Sequence, residues 1–185
     1  SNPQGSRPAR RGRHDAPQLS GASARTAPIV VPPEEQLLAL AHHFPDRARR
    51  FAERDVFHLC RDERLARKLE AALLGEQVNG ESEDPSRHLQ PLAALPFPIL
   101  AQQPSPRFVD MVFGFLFAQL ELRAVEDEAR NGQSTVREGG QIDDAAMERY
   151  LAIQDEARAM RTSLADLERQ LDEEATLMRQ SVPLR

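Results

Sequence analysis

Few residues in this chain are equipped for chemistry. Histidines stand at 14, 42, 43, 58 and 88, and Cys60 is the single cysteine. His42-His43 with His58 and Cys60 offers metal-binding atoms, but zinc sites need closely spaced ligand pairs, and this spacing matches none of them. Cys60 ends the apolar step Val56-Phe57-His58-Leu59-Cys60, where it reads as a small core residue rather than a nucleophile. There is no glycine-rich phosphate loop and no Gly-x-Ser-x-Gly elbow. The carboxylates lie on helical faces, where Glu126 precedes Arg130 by one turn while Glu121 meets Val125 and Asp155 meets Ala159. Such irregular pairing reads as a solvated surface. No catalytic, cofactor-binding or metal-binding residue is assigned, and no cofactor is expected.

Function must then come from a surface, and the elements that build one are all helices. The most regular stretch is the last third. Ala146, Tyr150, Ile153, Ala157, Met160, Leu164, Leu167, Leu171 and Met178 recur at steps of four and three, with Glu174 as the one miss. This is a narrow apolar seam on one helix of about 57 Å from Asp143 to Gln180. Ser163 with Asp166 resembles a capping pair, so a break at Thr162-Ser163 is possible. A helix cannot bury such a seam alone.

Upstream, Pro32-Pro33-Glu34-Glu35 starts a short helix with Leu37, Leu38, Leu40 and Ala41 as its apolar stripe, ending before Pro45. Asp46 is expected to cap a second helix to Glu53, and Asp62 a third that stops at Gly75. An acidic loop over 75–84 leads to a helix opening at Pro85-Ser86 and ended by Pro96-Phe97-Pro98. Ser105-Pro106 opens a helix expected to run to Arg130 and stop at Asn131-Gly132, followed by a glycine-rich loop over 131–142. Its first half, Phe108–Leu120, is apolar nearly all round and must be buried on several sides, whereas its second half is charged. The short loop predicts an antiparallel hairpin of 106–130 with 143–162. No strand pattern and no internal repeat occurs. The expectation is all-α: a helical bundle over 34–104, then a long helix and C-terminal hairpin over 105–185.

Charge is unevenly placed. Residues 1–33 carry five arginines against one aspartate, about +4, which leaves −9 on the rest of a chain of net charge −5. That leader, rich in Pro, Arg, Ser and Gly, reads as a disordered linker, and a chain opening on one is expected to be a piece of something longer. The acidic body argues against direct nucleic-acid binding by the folded part. One cysteine, no apolar run near eighteen residues and no signal-peptide core make the cytoplasm the expected location.

Three stretches, taken in order, carry a family resemblance. They are Glu35-Gln-Leu-Leu-Ala-Leu-Ala-His-His-Phe-Pro45; Phe108-Val-Asp-Met-Val leading through Leu120-Glu-Leu-Arg-Ala-Val-Glu-Asp-Glu-Ala-Arg-Asn-Gly132; and Asp144-Ala-Ala-Met-Glu-Arg-Tyr-Leu-Ala-Ile-Gln-Asp-Glu-Ala-Arg158. Over about residues 34–160 the chain resembles the C-terminal domain of bacterial DnaG-type DNA primases. The resemblance implies a helical bundle followed by a helical hairpin that binds the hexameric, DnaB-type replicative helicase at the replisome, preceded by a linker from the polymerase domain. It implies that Tyr150, Leu151, Gln154 and Arg158 meet the helicase, with Gln154 and Arg158 foremost. The last helix runs some twenty residues longer than the family's. The contact is therefore expected at 150–158 together with Arg161, or moved onto the Leu164, Leu167 and Leu171 extension. Without the resemblance, the seam reads as a homodimer or adaptor surface.

Overall fold

The computed structural model describes residues 31–76, 86–100, 104–138 and 144–180, the side chains of 86–88 and 134–138 excepted. The leader up to residue 30, most of the acidic loop and the glycine-rich stretch 139–143 lie outside the described residues. Six α-helices follow in order: α1 Pro33–His43, α2 Pro45–Ala48, α3 Glu63–Leu74, α4 Ser86–Ala93, α5 Pro106–Glu138 and α6 Asp144–Gln180. A 3₁₀ turn, Arg49–Phe51, extends α2. No strand occurs among the described residues, so the fold is all-α. None of their helices is long and apolar enough to cross a membrane.

Local sequence chemistry accounts for most helix ends. Asp62 accepts a hydrogen bond from the Arg64 backbone N–H at 2.8 Å, which caps α3. Gly75, at φ 76°, ends it. The N–H groups of Gly75 and Glu76 then bond the carbonyls of Ala72 and Ala71, a turn that needs a residue tolerant of positive φ. Ser105 Oγ accepts from the Phe108 N–H at 3.1 Å, with Pro106 in the first position of α5. Asp46 is not the cap that was expected. Pro45, with its φ already helical, starts α2 one residue earlier, and Asp46 pairs within the turn with Arg49 at 3.7 Å.

α1 is the central helix, buried from Gln36 to Ala41 and packed on α2, α3, α4 and α5. One continuous core joins it to Ala48, Val56, Leu69, Leu73, Leu92, Phe97, Ile99 and the run from Phe108 to Leu120. Phe51 stacks on Phe113 and Phe117 at 4.9 and 5.7 Å between ring centres. Phe97 meets Phe108 and Phe115 edge-on. The same cluster includes Leu171 and Ala175 of α6, so the stretches 34–104 and 105–185 share one core.

The long helices depart from expectation twice. α5 does not stop at Asn131-Gly132 but continues to Glu138. A glycine inside a helix costs only about 1 kcal/mol, and here the facing helix offsets it: a β-carbon at Gly132 would lie 3.8 Å from the Tyr150 ring. α6 is one unbroken helix of 37 residues. The Thr162 hydroxyl donates to the Arg158 carbonyl one turn back at 3.2 Å, which satisfies it without opening the helix. Asp166 turns to Arg169 rather than back to Ser163.

Among the described residues, α6 packs on α5 and on no other helix. Its apolar seam is the covered face: Ala157 and Leu171 are buried, and Tyr150, Ile153, Met160, Leu164, Leu167 and Met178 are half-buried. Where Glu174 interrupts the pattern, the next residue, Ala175, is buried in its place. The seam's second half was one of two places expected for the partner contact. It is used inside the chain instead, because α6 returns along α5 to the aromatic core.

Candidate partner-binding site

Carboxylates along α5 are held by arginines of α2 and of the segment between α2 and α3. Arg47 Nε donates to Asp110 Oδ1 at 2.8 Å, and its Nη2 bonds the other carboxylate oxygen. Arg50 joins the same oxygen at 2.5 Å. Arg54 pairs with Glu121 at 2.6 Å, its guanidinium 5.5 Å from the centre of the Phe117 ring. Arg61 grips Asp127 through Nε and Nη2. Deeper, Arg123 donates to buried Glu34 at 2.8 Å and to the Leu59 carbonyl at 3.0 Å. The α5 carboxylates, read from sequence as a solvated surface, and Glu34, read as a first-turn carboxylate, join elements to one another.

Electrostatics follow the pairing. The Arg61 hydrogen bond holds the Asp127 carboxyl below the usual carboxylate range, against a smaller opposing effect of burial. Cys60 is half-buried, and burial, then the Glu34 charge, push its thiol up to about 11. A thiol that high is protonated near neutrality and a poor nucleophile. His58 sits 3.3 Å from Asp55 at the surface. Among the described residues no three His, Cys, Asp or Glu side chains converge as metal ligands would.

Beyond the bundle, α5 and α6 enclose a polar cleft of about 200 Å³. Buried Ala129 and Ala157 lie at its base, and Glu126, Arg130, Gln133, Gln154 and Arg161 line it. Arg161 donates through Nε and Nη2 to Glu126 Oε1 at 3.0 and 2.7 Å, tying α6 to α5. Arg130 donates to Asp127 rather than to Glu126, at 3.0 Å.

The eight residues expected at the helicase contact therefore fall into three groups. Leu151 and Arg158 lie on the outer face of α6, Leu151 55% exposed and Arg158 paired with Asp155 at 2.8 Å. Gln154 and Arg161 border the cleft. Tyr150, Leu164 and Leu167 turn toward α5, and Leu171 is fully buried. Leu164, Leu167 and Leu171 leave little side-chain surface for a partner, since α6 turns them toward its own core. Glu126 and Arg130 were read only as a surface pair, and Ala129 and Gln133 were not read as site residues: all four lie around Arg130, where α5 was expected to end. Continuing the seam of α6 backwards against α5 is the signal that would have found them.

The chain matches no protein-family model, no curated protein and no solved structure.

Proposed function

We propose that this chain is a protein-interaction module, the helicase-binding domain of a bacterial DnaG-type primase, and that it performs no catalysis itself. The observation that carries the reading is the arrangement of α6. It rests on α5 alone and directs Leu151 and Arg158 away from the bundle. A bundle followed by a long antiparallel hairpin is also the order of elements that the sequence resemblance implies. An exposed leucine with an arginine two turns further along the same helix face is suited to helix-based recognition. Docked on a hexameric helicase, such a module would raise the local concentration of a tethered polymerase domain at unwound DNA and so couple primer synthesis to unwinding.

The test is binding of the intact chain to the replicative helicase of the same organism. Leu151→Ala combined with Arg158→Ala should weaken binding at least tenfold, the loss expected when an apolar anchor and a charged contact go together. Circular dichroism should show unchanged helicity, since both side chains are exposed. Undiminished binding by the double variant would remove the outer face of α6 from the contact. Truncation after Gly132 is a poor substitute, because it would take Leu171 and Ala175 out of the core.

A further inference from the structure

The cleft between α5 and α6 has a charge opposite to its surroundings. α6 carries nine carboxylates against five arginines, and the whole chain is at −5. The cleft lining has two arginines, one glutamate and two glutamines, a formal +1. The Arg130 side chain is 69% exposed and that of Arg161 54%. Each guanidinium has five N–H donors; the ion pairs described above take up one on Arg130 and two on Arg161. Gln133 and Gln154 add amide N–H groups at the rim. The lining is therefore rich in donors and turned toward solvent.

We infer that this cleft seats a single carboxylate side chain, aspartate or glutamate, of a protein that docks along the hairpin. The inference rests on the reading of α5 and α6 as the helicase-facing part and adds the chemistry of the contact. Size favours a side chain over a metabolite: small-molecule sites run from about 300 to 1,000 Å³, and this cleft holds about 200 Å³. Charge favours a carboxylate, for which a guanidinium fork is the matching donor. The location gives the contact a second role. An acidic partner segment is repelled by the net negative charge of α6 and attracted at the cleft, so the cleft favours one register of docking. Ala129 and Ala157 fit the role as well, since short side chains at the base leave room between the longer ones at the rim.

The experiment titrates the full chain against the hexameric replicative helicase of the same organism, by calorimetry. Arg130→Gln should weaken binding about tenfold, the loss of one charge-assisted hydrogen bond, and Arg130→Glu should weaken it further. Gln154→Met, which keeps the bulk and removes the amide, should weaken it severalfold, and Arg67→Gln on α3 should match the wild type. Raising salt should weaken the wild type more steeply than Arg130→Gln. Wild-type binding that all cleft variants retain overturns the carboxylate seat and leaves the helicase reading standing. No binding by the wild type overturns both.

Discussion

Asp127 joins three parts of the molecule: it accepts from Arg61 before α3 and from Arg130 beside the cleft, and it sits next to Glu126, which holds α6. Its depressed carboxyl pKa is a statement about stability. A carboxyl held lower in the fold than in the unfolded chain adds stability above the unfolded value, near 4. That contribution is lost as pH falls through the folded value. The drop in Tm from pH 7 to pH 3 should therefore be smaller for Asp127→Asn, which has no proton to gain, than for the wild type. Equal drops would mean the Arg61 pair does not stabilise the fold. Nothing local announces this role, since Arg61 and Asp127 are 66 positions apart and Arg123 and Glu34 are 89 apart. Cys60 is the contrasting case: its apolar neighbours led to its reading as a small core residue, and it packs half-buried against the core.

Among the elements, ends set by neighbouring residues were legible. Asp62, Gly75 and Ser105-Pro106 act within one turn of themselves, and each does what its type implies. Ends that depend on packing were not. The Asn131-Gly132 pair ranks as a stop only while α5 is taken alone; with α6 alongside, continuation is favoured. The same holds at Thr162-Ser163. Ser163→Pro tests this directly: inside a continuous helix it should cost about 3 kcal/mol or more in urea denaturation. At a true break it would be nearly neutral.

For the whole molecule the decisive feature is that the last helix returns to the first core. Leu171 and Ala175 close over the same cluster as Phe108–Leu120, so the seam is largely covered inside the chain. Sedimentation of the chain over a hundredfold range of concentration should give one mass, that of the 20.7 kDa monomer. A concentration-dependent rise would restore the homodimer reading. What α6 leaves outside is its polar face, with Leu151 as the one large apolar residue of its first half that is exposed.

The sequence by itself determined that the chain is helical, where most helices start, and that the 146–178 face must be covered, because period and caps are properties of a few neighbouring residues. It also determined that Phe108–Leu120 lies inside, since an apolar run has no other place to go. What covers the second half of the seam, how far α5 runs, which carboxylates hold elements together and where Arg130 and Gln154 meet were decided by tertiary structure alone. The physical reason is the antiparallel register of α5 and α6, which sets Gly132 against Tyr150 and Glu126 against Arg161. Pairing at that range depends on the whole length of two helices packing at once, and no short window of residues encodes it.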